Sequence, residues 1–355
     1  MLQKLKFGYF LATDDLQFGF KPGVSTSHAI YALKKTSDFF TDNNSRVFLA
    51  FLDCSKAFDR ISHWGLFIKL IRRNVPLCFL LVVMFLYLNM SCLCKWNRVE
   101  SDVFDVSTGT KQGGILSPDF FSLYINDLVS LLKASGFGCH IISVCIASIF
   151  FADDIVLLSP SRRGLQALIN ICLGYCSKFC LNFNIKKSKV MVIGRNLSEG
   201  EFCPLYMNDS SFDFVTEYKY LGVTVLGGKT ISFSAKYDIR SFHRASNAIL
   251  RSGTRPSESV LMNLLYSNCV PILSYACAAK EYSASDMSSC NSATNSAIRH
   301  IFSYKRFESV RHLRESLHFK SIYEIFHLAK SKFSKSVLTS PNDIVRHIAN
   351  CYKVD

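Results

Sequence analysis

Residues 149–158 read IFFADDIVLL, two adjacent carboxylates set between short apolar and β-branched runs. Strand-forming residues on both sides of a two-residue acidic centre predict a β-hairpin with Asp153 and Asp154 at its turn. Two like charges held this close in an apolar segment are costly unless a cation neutralises them, so the pair is a candidate divalent-metal site. Asp is also a common turn residue, and the dipeptide alone does not separate turn chemistry from metal chemistry. A third carboxylate and a nucleotide pocket would.

Working outward, residues 46–53, RVFLAFLD, form a nearly continuous apolar run that reads as a buried central strand ending at Asp53. A carboxylate where a central strand runs out faces a crevice, a site position in many α/β folds. Asp59 comes just before the helix that Ser62 opens and reads as a turn or cap acid. Phe58 lies beside the expected metal site, where an aromatic ring either packs under a sugar or seals the core.

Upstream, residues 17–35, QFGFKPGVSTSHAIYALKK, give a Gly and Pro turn, a cap at Ser25 or Thr26, and a helix. Lys21 in that turn is a candidate template contact, unless the loop is a simple connector. Downstream, residues 109–118 read GTKQGGILSP. Gly113 and Gly114 let backbone approach a ligand, and Gln112 offers an amide to a base or phosphate. A helix follows, with apolar residues Phe120, Leu123, Tyr124, Leu128, Leu131 and Leu132 for packing. After the acidic hairpin come an amphipathic helix over 164–180, then LNFNIKKSKVMVIG, in which Asn184 and Lys187 precede a strand, then YKYLGVTV, a tight hairpin bending at Gly222.

Beyond residue 230 the chain turns more basic. At 100° per residue, Lys236, Arg240, Arg244 and Arg251 fall within an arc of about 80°, and Ala235, Ile239, Phe242 and Ile249 fall opposite. A basic stripe with an apolar back suits a phosphate backbone; a solvated charged face gives the same pattern.

The 355 residues are 49% hydrophobic, enough for a large core in two or three lobes, which excludes disorder. Lys and Arg number 41 against 27 Asp and Glu, a net +14 that points to a polyanion, nucleic acid being the usual one. Fourteen cysteines lie scattered through apolar segments with no signal-peptide pattern, which reads as reduced, intracellular thiols. Cys92 and Cys94, and Cys172, Cys176 and Cys180, lack the paired knuckles of a zinc site and fit packing. The uncharged run VPLCFLLVVMFLYL, residues 75–88, is expected as a buried core helix and not as a membrane span.

Taken in order, FLDCSKAFDR, GTKQGGILSP, FADDIVLL, LNFNIKKSK and YKYLGV resemble the reverse transcriptase domain of LINE-type, non-LTR retrotransposons, from about Gln17 to Gly222. The resemblance implies an α+β fold: a right-hand polymerase palm, a ferredoxin-like sheet with helices. Partial fingers are expected in residues 1–45, the palm with residual fingers elements in 46–230, and a helical thumb with a basic C-terminal region in 231–355. It implies an RNA-directed DNA polymerase that extends a DNA primer on an RNA template with deoxynucleoside triphosphates, with no membrane partner. Asp53, Asp153 and Asp154 would hold two Mg²⁺ ions, or Mn²⁺ in their place, Asp153 being the firmer ligand of the pair.

Carried over in the same way, Phe151 opens the FADD motif and Phe58 is a gate that crowds a ribose 2′-hydroxyl. Gln112 and Gly113 line the incoming nucleotide, Lys187 stands near the leaving pyrophosphate, and Tyr220, Leu221 and Gly222 grip the primer end. The expected location is intracellular, in the nucleus and in cytoplasmic ribonucleoprotein. Because Met1 lies only sixteen residues before Gln17, upstream finger strands are expected to be missing and an endonuclease to lie elsewhere in the full-length element. The same resemblance admits an alternative, a truncated, catalytically inactive nucleic-acid-binding remnant.

Overall fold

Seven residues, VFLAFLD, form the strand against which the acidic hairpin is laid: β1 (Val47–Asp53) buries six consecutive side chains and leaves only Asp53 partly open. A computed structural model describes residues 10–111, 113–195, 203–251 and 256–352. The partners of β1 come from far along the chain. They are β2 (Ser148–Phe151), β3 (Asp154–Ser159), β4 (Lys189–Ile193) and β5 (Asp213–Phe214), in the order β5-β4-β1-β3-β2. Both neighbours of β1 run antiparallel to it, and β5 joins β4 in parallel. With a hydrogen-bonded strand on each side and covered faces, β1 has no polar edge or face, which is why its sequence is unbroken hydrophobe rather than an alternation.

The helices read well from caps and punctuation. In chain order they begin with α1 (Thr26–Asp42), α2 (His63–Arg72), α3 (Leu77–Leu88), α4 (Ser117–Ala134) and α5 (Arg162–Phe179). Ser62 caps α2 by accepting from the Gly65 N–H at 3.2 Å, and Ser161 caps α5 by accepting from Gly164 at 3.1 Å. Pro118 sits in the first turn of α4, and Cys180 stops α5 at φ +56°. Helix α5 lies on β1 and β3, α4 on α5, and α2 on α4. Cys172 and Cys176 are buried in that packing, whereas Cys180, which ends the helix, and Cys92 and Cys94 are exposed and do not pack as expected.

One helix departs from expectation. In α3 only Leu80, Val83 and Tyr87 are buried, while Leu77 and Phe85 are each 68% exposed. The three buried positions make one stripe at i, i+3 and i+7, against α2. Among the described residues no element covers the other sides, so an all-apolar sequence does not become a core helix. Its 12 residues span about 18 Å, well short of a bilayer's hydrocarbon core. Leu131, expected to pack on α4, is likewise half exposed.

The chain divides into two units: Met1–Ser25 with Phe39–Val215, and Thr26–Asp38 with Thr216–Asp355. Most of α1 therefore goes with the C-terminal part and not with the residues before it. Its Lys34 and Lys35 each stand 2.9 Å from Glu281, and His28 Nε2 lies 3.1 Å from Ser336 Oγ. The second unit opens with a three-stranded meander, β6 (Glu217–Tyr220), β7 (Val223–Leu226) and β8 (Ser232–Phe233), followed by α6 (Ala235–Leu250) and further helices to Cys351. Its core gathers Phe242, Met262, Leu273, Ile298, Ile322 and Phe326. The buried Lys280 ammonium is matched by Asp238 Oδ2 and Tyr282 Oη, each at 2.6 Å, as an interior charge requires. The run Glu258–Lys280 is long and apolar enough to cross a membrane, but a π-helical turn at Leu265–Cys269 interrupts it, and Met262, Leu265, Cys269 and Leu273 belong to the core.

Candidate active site

The hairpin that carries the acidic pair turns one residue earlier than its sequence predicts. Phe151 pairs with Asp154, so the turn is Ala152–Asp153, and Ala152 takes a left-handed backbone at φ +56°. Asp154 is thereby the first residue of β3, and its partner across the ladder on β1 is Asp53. Directly opposed residues of antiparallel neighbours share a face, with Cβ atoms about 5 Å apart. Three carboxylates thus meet where β1 ends and the β2–β3 hairpin bends.

The electrostatics record the crowding. Desolvation first, then the charges of Asp153 and Asp53, push the Asp154 carboxyl up to about 6. Asp153 is also raised, by desolvation first and further by Asp53, with a backbone hydrogen bond opposing. The Cys54 thiol next to them is pushed up to about 12 by burial and by the same carboxylates, which leaves it inert.

A raised carboxyl has a definite sign in stability. Between its ordinary value near 4 and about 6, folded Asp154 holds a proton that the unfolded chain has released, so its contribution grows as pH falls through that window. The melting temperature of metal-free wild-type protein should therefore rise, relative to Asp154→Asn, on going from pH 7 to pH 5. An identical pH dependence in the two proteins would show that Asp154 is not held against its neighbours.

The loop between α5 and β4 is braced on Asp53. The Asp53 N–H donates to Ser188 Oγ at 3.1 Å, the Asn184 N–H donates to the Asp53 carbonyl at 2.8 Å, and Ser188 Oγ donates to the Asn184 carbonyl at 2.8 Å. This bracing brings Lys187 Nζ to 3.8 Å from Asp53 Oδ2, on a side chain that stays open to solvent.

Phe58 begins a single 3₁₀ turn, Phe58–Arg60, after β1. Its ring stacks on Phe121 of α4 at 4.6 Å and meets the edge of Phe20 at 6.3 Å. The glycine loop grips the same turn, for the Thr110 N–H donates to the Phe58 carbonyl and the Gly109 N–H to that of Ile61, each at 2.8 Å. Gly109, at φ +94°, lies so close that a Cβ would stand 3.0 Å from the Asp59 backbone. Gly113, at φ +77°, has nothing among the described residues within 4 Å of where a Cβ would stand. Gln112 lies outside the described residues. Phe151, half buried, is the last residue of β2.

Lys21 is engaged by the protein itself: its Nζ donates to the Thr13 carbonyl at 2.9 Å and to that of Asp14 at 2.7 Å, and lies 3.4 Å from Asp15. It braces its own segment instead of projecting from a loop.

In the second unit, Tyr220 is buried, and Leu221 at φ +45° with Gly222 at φ +78° make the expected tight turn. The Leu221 carbonyl accepts from Tyr275 Oη at 3.1 Å. Lys236, Arg240, Arg244 and Arg251 are all exposed while Ala235 and Phe242 are buried, the division that the helical period predicts. Arg251 is the residue that closes α6.

Gln17, which no sequence pattern singles out, contacts the turn that carries Asp153. Gln17 is fully buried, and its Oε1 accepts from the N–H groups of Gly19 at 3.0 Å and Ala152 at 3.3 Å. That contact joins positions 135 apart, and nothing local in QFGF announces it.

As a donor set, three carboxylates of raised or crowded charge are hard oxygen ligands suited to Mg²⁺ or Mn²⁺. Among the described residues, as the side chains stand, no three His, Cys, Asp or Glu are gathered closely enough to hold a metal ion. An open corner fits an ion that completes its shell with water and substrate oxygens.

The pattern described as "Reverse transcriptase (RNA-dependent DNA polymerase)" matches residues 2–225. The chain belongs to this family. The chain is 30% identical over 185 residues to the Pol polyprotein of the type-2 retrotransposable element R2DM of Drosophila melanogaster, covering 50% of this chain and 17% of that protein. It is 25% identical over 221 residues to the RNA-directed DNA polymerase of the mobile element jockey of the same species, covering 60% and 23%. The X-element polymerase of Drosophila melanogaster matches over 276 residues at 24%, covering 75% and 29%. The chain therefore spans less than a third of each of these relatives. Among solved structures, apo telomerase from Candida tropicalis superposes with a TM-score of 0.51 at 12% identity, covering 99% of this chain and 57% of that one. Telomerase from Candida albicans with a fragment of telomeric RNA gives 0.50 at 13%, covering 99% and 52%. At such identities the likeness is one of fold alone.

Proposed function

We propose that this reverse transcriptase chain is the RNA-directed DNA polymerase domain of a non-LTR retrotransposon, acting on an RNA template, a DNA primer and deoxynucleoside triphosphates, within a larger protein that supplies an endonuclease. The observation that carries this reading is the meeting of Asp53, Asp153 and Asp154 at one end of the sheet, with Lys187 beside them. Bound there, two Mg²⁺ ions would activate the primer 3′-hydroxyl and neutralise the charge that develops on the triphosphate. Asp53 and Asp154 would hold and orient from adjacent strands, and Asp153 from the turn.

The remaining roles belong to side chains nearby and on the basic helix. Lys187 would offer a positive charge or a proton to the departing pyrophosphate. Phe58, fixed by its stack on Phe121, would present a rigid wall to the sugar. The exposed stripe of α6 would follow a phosphate backbone, and the hairpin at Leu221 and Gly222 would meet the primer end. The protein would work in the nucleus and in cytoplasmic ribonucleoprotein.

Two measurements test this. The purified chain should extend a DNA primer on an RNA template in Mg²⁺, adding only nucleotides that the template specifies. Binding of template and primer without any extension would favour the nucleic-acid-binding remnant instead. Replacing Arg240 and Arg244 together by Gln should reduce the slope of log affinity against log salt by about 2. An unchanged slope would make the α6 stripe a solvated face with no phosphate contact.

A further inference from the structure

The turn that aims Asp153 is held from outside its own hairpin. Ala152 sits in left-handed backbone at φ +56°, a conformation that disfavours residues with a Cβ. The two-residue turn itself asks for positive φ at its first central residue, a conformation that alanine adopts at a cost. A second restraint comes from residues 16–19. The Phe18 N–H donates to the Phe150 carbonyl at 2.7 Å and the Phe150 N–H to that of Leu16 at 2.8 Å, so this segment meets β2 in an isolated parallel bridge.

Gln17 then reaches over the turn, and its Oε1 accepts from both Gly19 and Ala152. Gly19 closes from the other side, for a Cβ there would stand 2.6 Å from the Ala152 nitrogen and 3.2 Å from the Phe151 carbonyl carbon. Both are backbone atoms that cannot step aside. Gln17 is 0% exposed, yet among the described residues its Nε2 finds no hydrogen-bond partner. A buried donor left unpaired is destabilising, so a methionine would serve better if packing were this side chain's only task. What the amide supplies is its oxygen, aimed at the amide of the strained residue.

We propose that Gln17 is a positioning residue of the polymerase site. With Gly19 it clamps Ala152 in left-handed backbone, and so holds the Asp153 carboxylate in place beside Asp53 and Asp154. The clamp rests on the reading of these carboxylates as the metal site. It touches neither metal nor nucleotide and acts through the turn.

The test uses the whole chain as Gln17→Met, Gly19→Ala and Asp153→Asn beside wild type, with thermal melting to establish folding. Amide hydrogen exchange at Ala152 reads the clamp directly, and free Mn²⁺ followed by electron paramagnetic resonance reads metal affinity. In folded wild type the Ala152 amide should be protected. Gln17→Met should expose it and weaken Mn²⁺ about tenfold, as loss of an orienting partner does at other metal sites. Gly19→Ala should weaken Mn²⁺ in the same direction, and affinity for template and primer should not move in either.

Mn²⁺ binding that equals wild type in both folded variants would overturn the clamp while leaving the metal site standing. Should a variant fail to fold, wild type alone decides, because an Ala152 amide that exchanges as fast as an open turn overturns the proposal. Wild type that binds no more Mn²⁺ than Asp153→Asn would remove the metal-site reading and the clamp with it.

Discussion

Asp153→Asn should lower primer extension by about three orders of magnitude or more, while RNA binding and its sensitivity to salt persist. The division follows from where the charges stand. Asp153 occupies the hairpin turn, and its carboxyl is already raised by desolvation and by Asp53 across the corner. Replacing it by a neutral isostere relieves that repulsion, so the fold gains nothing from the native charge and should not suffer from its loss. What disappears is the anionic ligand that a divalent cation needs. The nucleic-acid contacts proposed above fall to a different set of groups, the exposed Lys236, Arg240, Arg244 and Arg251 of the second unit, whose attraction to phosphate would be electrostatic. Filter binding beside extension checks both halves. If binding and extension fall together, one surface performs both tasks and the separation is wrong.

The second large effect belongs to the sugar. Phe58→Val should raise ribonucleotide incorporation relative to deoxyribonucleotide by one to two orders of magnitude, about the discrimination that a hydrophobic wall achieves against one added hydroxyl. The ring is not free to swing clear of a 2′-hydroxyl. It is stacked at 4.6 Å on the buried Phe121, and its backbone carbonyl is bound by Thr110 in the glycine loop. Valine keeps an apolar side chain beside Phe121 but removes the outer part of the ring, opening space where the sugar would sit. Competition between labelled ATP and dATP on one template position measures the ratio. Unchanged selectivity would return Phe58 to a purely structural part in sealing the turn against α4.

The legibility of this chain follows the range of its interactions. β1 is readable because an unbroken run of six hydrophobes closed by an acid fits a central strand and little else, and the caps at Ser62 and Ser161 are local chemistry. The acidic corner is legible for the same reason, two apolar strands around Asp-Asp and a third acid at a strand end. The turn's phase is not. Asp is the better left-handed residue, so sequence favours it at the bend, yet the ladder pairs Phe151 with Asp154 and places Ala152 there instead. The grip of Gln17 on Ala152 compensates, and no local pattern encodes a contact across 135 positions. Helix α3 fails in the opposite direction, for hydrophobicity states what a residue could bury and not whether an element arrives to cover it. Lys21 misleads because a lysine in a glycine loop gives no sign that nearby carbonyls will claim its ammonium. Most of α1 groups with the C-terminal unit through Glu281, which sequence order conceals.

The central claim is that Asp53, Asp153 and Asp154 together make the metal site of a polymerase. The most direct measurement counts Mn²⁺ bound per chain by equilibrium dialysis, with template, primer and a non-reacting nucleotide analogue present, in wild type and in Asp153→Asn. The account predicts two tightly bound ions in wild type and fewer in the variant, with the nucleic acid held equally by both. Equal Mn²⁺ stoichiometry and affinity in the two proteins would contradict it.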